Sequence, residues 1–349
     1  MRFAIATHHV PHPQGSAAGR QLWALADALL ADGHELEGYC WGPGGATLDV
    51  PDWCRWSPQR GPQGRLAWLQ TALKPRSGSA RGGWRPVHDD ALRWADDWAS
   101  WPAVQQAGGR SLLTVHYDVG LDARELGWSP GRVQDWRAQR RATRRAGTMI
   151  ALSDRVAAAV GATTVVPATL PMPADPLPLR DEPIALMFAD WSWAPNQAAL
   201  HQLLTMWPTV RARVPGAELV VAGRGSPDVA SGAGVRVLGT VAATVDAMSE
   251  GAVLAFPAPS TSGPKMKVLD ALGAGLPVVT TAPGVEGLNV PADAVAVAAD
   301  SASYVDVLIA VLNDPARRAD MADKARGAVL AHHAPAVAAR ARVAALVSR

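Results

Sequence analysis

Six prolines fall within residues 167–183: Pro167, Pro171, Pro173, Pro176, Pro178 and Pro183. Each fixes its own φ and lacks a backbone donor, so this stretch continues neither a helix nor a central strand. It is a linker, and it divides 349 residues into two halves, each long enough for a core of its own. Both halves then show the same alternation. Short apolar runs without period-two polarity lead through glycine-bearing loops into amphipathic helical stretches, which predicts parallel sheets covered on both faces.

The first half opens with a strand over Phe3 to Val10 and the loop His-Pro-Gln-Gly-Ser-Ala-Ala-Gly at 12–19. A helix follows with Leu22, Leu25, Ala26, Leu29 and Leu30 on one face, Ser16 as N-cap and Gly33 at its stop; Glu35 to Trp41 is the second strand. This is how a doubly wound domain begins, but the loop lacks the glycine spacing of a dinucleotide fingerprint, so no nicotinamide site is read here. Residues 50–105 hold seven of the 14 tryptophans: Trp53, Trp56, Trp68, Trp84, Trp94, Trp98 and Trp101. Trp94, Trp98 and Trp101 recur at helical spacing, either as a core stripe or as a stacking platform for a sugar, a flat aglycone or a base. The Gly-, Ser- and Arg-rich loop from Lys74 to Trp84 is placed to close over a substrate. Ser111 to His116 is another buried strand, and Met149 to Ser153 a further one. Between them a helix over 132–145 carries Arg132, Arg137, Arg140, Arg141, Arg144 and Arg145, a solvated face or a contact for an anionic acceptor.

Whole-chain features exclude several classes. A net charge of +2 marks no nucleic-acid or membrane surface. No apolar run approaches the roughly 18 residues that a membrane span needs, and the first residues read as a strand rather than a signal peptide. Cys40 and Cys54 match no metal-ligand spacing and are expected to be reduced thiols, so the sequence reads as a cytoplasmic protein.

After the linker, Ile184 to Ala189 is a strand followed by Asp190-Trp-Ser-Trp-Ala-Pro-Asn, then a helix over Leu200, Leu203, Leu204 and Trp207. Glu218 to Ala222 and Val235 to Leu238 are strands ending in Gly223-Arg224-Gly225 and Gly239-Thr240-Val241. The most informative stretch runs from the strand Ala252–Phe256 through Ser260-Thr-Ser-Gly-Pro-Lys-Met-Lys-Val-Leu-Asp-Ala-Leu-Gly-Ala-Gly-Leu-Pro-Val-Val-Thr-Thr to Gly-Val-Glu-Gly-Leu288. A strand, a glycine-bearing loop and a helix start at Gly263 to Lys265 present free N–H groups and a positive dipole end, where a phosphate docks. Lys265 and Lys267 in that first turn oppose the dipole by a few tenths of a kcal/mol, a penalty that a bound anion would remove. Helices from Tyr304 onward complete the chain.

The stretch beginning Gly263-Pro-Lys265-Met-Lys267-Val-Leu-Asp270-Ala resembles the donor-sugar site of retaining GT-B glycosyltransferases, the large family-four type that reads Gly-x-Lys-x-Lys-Val-Leu-Glu-Ala. The family's two carboxylates fall on Ser262 and Asp270, so the first is absent and the second is one methylene shorter. The resemblance implies a GT-B fold: an N-terminal Rossmann-like domain over 1–178, a C-terminal nucleotide-sugar domain over 179–334 and a last helix over 335–349 returning to the first domain, with a cleft where the domains face each other. It implies that Gly15, Ser16, Trp191, Arg224, Gly239, Thr240, Ser262, Gly263, Pro264, Lys265, Met266, Lys267 and Asp270 hold the donor. Asp270 would take the ribose hydroxyls, and His116 would reach the donor sugar near the reacting carbon. Asp118 would either orient His116 or cap the next segment.

The function so implied is retaining, metal-independent transfer of a sugar from a nucleotide diphosphate donor to an acceptor, a hydroxyl of a small natural product or saccharide. No Asp-x-Asp stands on a loop after a strand, and no other cofactor is expected. A nucleotide-sugar 2-epimerase, a glycosyltransferase acting on nucleic acid, and a nucleotide-binding GT-B protein without turnover remain the alternatives.

Overall fold

The computed structural model describes residues 1–43, 49–59, 86–225, 229, 231–260 and 262–347. The chain divides into two compact units, one of Met1–Pro171 with Pro335–Arg349, the other of Met172–Ala334. The division between Pro171 and Met172 falls within the proline run of 167–183.

In the first unit, β1 (Arg2–Thr7), α1 (Ala17–Ala31), β2 (Glu35–Pro43), β3 (Cys54–Gln59), β4 (Leu92–Ala95), α2 (Trp101–Ala107), β5 (Ser111–Val115), α3 (Val119–Leu126), α4 (Pro130–Arg145), β6 (Thr148–Ala151), α5 (Asp154–Val160) and β7 (Thr164–Val165) follow in order. The seven strands form one sheet, β3-β2-β1-β4-β5-β6-β7, parallel throughout. Strand order reverses at β1, whose Phe3 pairs with Leu36 on one side and Leu92 on the other. Ala4, Ile5 and Ala6 are fully buried because helices cover both faces. Each large aliphatic side chain so buried contributes about 1.5–3 kcal/mol. Ser16 caps α1, its Oγ accepting from Gly19 N at 3.2 Å, and Leu22, Leu25 and Leu29 form the helix's buried stripe.

One sequence expectation changes here, and two open alternatives are narrowed. Trp94, Trp98 and Trp101 do not share a helix: Trp94 lies on β4, Trp98 in a turn and Trp101 at the start of α2. Asp97 accepts from both Ser100 N and Ser100 Oγ, and that turn breaks the apparent period. All three rings are nevertheless core, and Trp94 Nε1 donates to Thr114 Oγ1 at 2.8 Å, so none is a stacking platform. Arg137, Arg141, Arg144 and Arg145 on α4 are exposed, the solvated face, while Arg140 stacks on Trp136. Trp68, Trp84 and the Lys74–Trp84 loop lie outside the described residues.

The second unit holds β8 (Ile184–Phe188), α6 (Ala194–Arg213), β9 (Glu218–Ala222), β10 (Val235–Gly239), α7 (Thr244–Met248), β11 (Val253–Phe256), α8 (Met266–Gly273), β12 (Val278–Thr281), β13 (Ala296–Ala298), α9 (Ser301–Leu312) and α10 (Pro315–His333). Its six-stranded parallel sheet runs β10-β9-β8-β11-β12-β13 and reverses order at β8. The last helix, α11 (Pro335–Val347), belongs to the first unit, where it packs on α1 and its buried Arg342 donates to Pro167 O at 3.1 Å. Among the described residues no helix is long and apolar enough to cross a membrane.

Candidate functional site

In an open parallel sheet, ligands bind beyond the carboxyl ends of the strands where the order reverses. In the second unit that place lies between the ends of β8 and β11. From β8 comes the loop at Asp190, and from β11 the loop that leads into α8. Gly223, after β9, has φ +125°, and an added Cβ would stand 1.9 Å from Ala189 O, so only glycine lets these two loops approach. Trp191 N then donates to Arg224 O at 2.8 Å, and Gly223 N to Gly239 O at 2.8 Å.

The side chains continue the connection. Asp190 accepts from the Arg224 guanidinium and from Ser192 N and Oγ. Burial works against ionisation of Asp190, but Ser192 and Arg224 together hold its carboxyl below the usual range. Asn196 Nδ2 donates to Asp190 O at 2.7 Å, and Asn196 Oδ1 accepts from the Lys267 ammonium. Lys267 Nζ also lies 4.1 Å from the Phe256 ring centroid. Burial, assisted by the nearby charge of Lys265, pushes the Lys267 ammonium down to about 7, with Asp190 opposing.

The helix α8 starts at Met266, with Lys265 at the N-cap, slightly later than the Gly263-to-Lys265 start expected. Gly263 has φ +137°, and Lys265 Nζ donates back to Gly263 O at 2.8 Å. The Lys265 side chain makes no capping hydrogen bond to the helix's first N–H groups, and Val268 N donates to Lys265 O at 2.8 Å. Asp270 is buried one turn into α8, Ser262 is buried in the loop, and Pro264 and Met266 are half-buried. Trp191 is buried, Arg224 and Thr240 are exposed, and Gly239 ends β10. The structure thus joins Trp191, Arg224, Asn196 and Lys267 in one network through Asp190, with Lys265 and Gly263 beside it on the α8 loop.

In the first unit the corresponding place lies between the ends of β1 and β4. His116, just after β5, reaches it: Nε2 lies 2.6 Å from Asp96 O and 3.4 Å from Asp96 Oδ1, and Nδ1 lies 3.3 Å from Gln21 Nε2. Burial disfavours charge on His116, yet Asp96 and then Asp97 outweigh it and raise its affinity for a proton. Asp118 takes the capping job of the two open to it, its Oδ1 accepting from Leu121 N at 2.8 Å, while Asp96 is the carboxylate at His116. Ser16 Oγ is 3.2 Å from His9 Nδ1 as well as capping α1, and Gly15 N donates to His12 O in the same loop. Burial pushes the His9 imidazole down in pKa, and neighbouring His8 adds to this. Burial would raise Asp97, but the His8 and His9 imidazoles hold it well below the usual range.

Asp96, Asp97, His8, His9 and Gln21 were not singled out from sequence, nor were Asp190 and Asn196 as members of a network. The signal available was positional: His8-His9 directly follow the first strand, while Asp96-Asp97 follow a strand that an arginine interrupts.

Against known proteins, residues 182–314 match the profile of the family described as Glycosyl transferases group 1. The trehalose-6-phosphate synthase OtsA superposes with a TM-score of 0.69 at 11% identity, covering 100% of this chain and 99% of that one. HepE of Anabaena, solved in complex with UDP-glucose, gives 0.68 at 12% identity, covering 100% of both chains. TarM of S. aureus, solved with UDP, gives 0.63 at 11%; 80% of this chain is covered, and it spans 57% of TarM's length. No curated protein matches the sequence. The chain therefore has the GT-B fold of two Rossmann-like parallel-sheet units. The stretch that matches the group 1 profile lies within the second unit.

Proposed function

We propose that the protein is a retaining glycosyltransferase that moves a sugar from a nucleotide diphosphate-sugar to a hydroxyl of a small natural product or saccharide. The observation that carries this reading is the placement of the half-buried Lys267, whose ammonium is pushed down to about 7, beside Lys265 and the start of α8 within the stretch that matches the group 1 profile. HepE with UDP-glucose and TarM with UDP support a nucleotide-sugar as its ligand.

In this reading the second unit holds the donor. Lys265, Lys267, Arg224 and the first N–H groups of α8 meet the diphosphate, whose growing charge they stabilise as it leaves. Asp270 accepts from the ribose hydroxyls, and Trp191 and the backbone at Gly239 and Thr240 shape the rest of the donor site. The first unit contributes Gly15 and Ser16 toward the diphosphate, His116 toward the sugar, and the acceptor site. The bond from the anomeric carbon to the β-phosphate oxygen breaks, and a bond from that carbon to the acceptor oxygen forms on the same face. The acceptor's proton passes to the leaving phosphate. No metal is needed to bridge the phosphates, because the chain's own cations face them, and the reduced cysteines suit a cytoplasmic enzyme.

A thermal-shift screen against UDP, GDP, ADP and dTDP tests donor binding: a ligand at 100 times its dissociation constant stabilises by about 2.7 kcal/mol. The stabilisation is expected to survive chelator. Proton NMR of the glycoside then reads the configuration, retention being expected; inversion, or a trapped glycosyl-enzyme, contradicts the same-face route. One observation favours a second reading, a nucleotide-binding protein without turnover: buried Ser262 stands where the resemblance puts a carboxylate. Nucleotide binding with no product over a broad acceptor panel would select it.

A further inference from the structure

Beyond donor binding, the rim of the first unit brings together two imidazoles and a carboxylate that lie nearly ninety residues apart in sequence. His8 Nδ1 lies 2.9 Å, and His9 Nε2 3.6 Å, from the same oxygen, Asp97 Oδ2. One candidate ligand atom from each residue lies within 4.8 Å of the others. A tetrahedral zinc ion with bonds of about 2.0–2.1 Å sets its ligands about 3.3 Å apart, a spacing that the two measured distances bracket.

The groups around the cluster are those that aim metal ligands. Asp97 Oδ1 accepts from Ser100 N at 2.9 Å and Ser100 Oγ at 2.7 Å, which turns Oδ2 toward the histidines. Ser16 Oγ stands 3.2 Å from His9 Nδ1. With Nδ1–H donating there, His9 Nε2 presents its lone pair to the cluster, as a ligating imidazole requires. Position agrees with chemistry, since β1 and β4 are the strands between which the sheet order reverses.

The geometry points to a transition-metal site made by His8, His9 and Asp97, with Zn²⁺ as the favoured ion. Two neutral imidazoles and one carboxylate suit it, and three protein ligands leave a fourth position for water or a ligand hydroxyl. The site uses none of the second-unit residues assigned to the donor diphosphate, so it stands or falls separately from the choice of donor.

The test uses the full-length, tag-free protein stripped with chelator and dialysed against Zn²⁺. Elemental analysis should return one equivalent, and Co²⁺ in its place should give the visible absorption of a four-coordinate ion. His8→Ala and His9→Ala should each weaken Zn²⁺ binding by more than about 10-fold, and Ser100→Ala by a smaller factor. His12→Ala, in the same loop, should leave it unchanged. Melting curves of the stripped variants verify that each is folded. Failure of the wild type to retain zinc, or retention undiminished in both His8→Ala and His9→Ala, overturns the assignment. So does loss of turnover in His8→Ala when neither protein binds metal, which would make the cluster an acid–base group instead.

Discussion

The two units are built on the same plan, yet their rims are opposite in chemistry. Each is a parallel sheet whose order reverses beside its first strand, and each gathers side chains that follow the two strands at the reversal and a neighbouring one. In the second unit that position collects Lys267, Asn196, Asp190 and Arg224, with Lys265 close by. In the first it collects His8, His9, His116, Asp96 and Asp97. The fold supplies the place, and the residues after each strand decide the ligand. A rim of lysine and arginine side chains suits a diphosphate, whereas imidazoles held by carboxylates suit hydroxyls, protons or a metal ion.

If the division is real, substitutions in one rim should leave the other's ligand alone. The largest expected effect is at His116. His116→Ala should lower kcat by about 100-fold or more while nucleotide affinity changes less than about threefold, since a hydrogen bond made only as charge develops acts on kcat. A matching loss in nucleotide affinity would put His116 in the donor's ground-state grip and blur the contrast.

A smaller effect is expected from pH. The Lys267 ammonium in the free protein is pushed down to about 7, and a bound diphosphate favours its protonated form. The protonated protein is then the one that binds, so affinity for a nucleotide diphosphate-sugar should be level below pH 7. Above it, affinity should fall by up to about tenfold per pH unit until the raised value of the complex is reached. Calorimetry in buffers of different ionisation enthalpy should show proton uptake near pH 8. A flat profile from pH 6 to 9 would mean that Lys267 does not face the anion.

The same contrast explains what could be read from the sequence. In the second unit the apolar run Leu-Val-Val-Ala after Glu218 makes Glu218–Ala222 legible to the residue, and the α8 loop sets its candidate donor residues within a few positions. The first unit hides its equivalents. Its β4 reads Leu-Arg-Trp-Ala, a buried strand interrupted by an arginine, and the turn after it mimics a helical tryptophan period. The partners of His8 and His9 lie near residue 97, a separation that only the sheet order of β1 beside β4 brings close. Local spacing can therefore propose an anion site at a helix start but not a cluster assembled across strands. Asp118 shows the same gap: both of its possible roles fitted the sequence, and only the position of Asp96 decides between them.

The central claim is that the start of α8 and its lysines grip a nucleotide diphosphate. Titrating UDP into the wild-type protein and Lys265→Ala by calorimetry, followed by GDP, ADP and dTDP if UDP is inert, tests it most directly. The account predicts saturable one-to-one binding of one of these, weakened about 10- to 100-fold in the variant, the loss of a hydrogen-bonded charge. Equal affinity in both proteins, or no binding of any of the four, would contradict it.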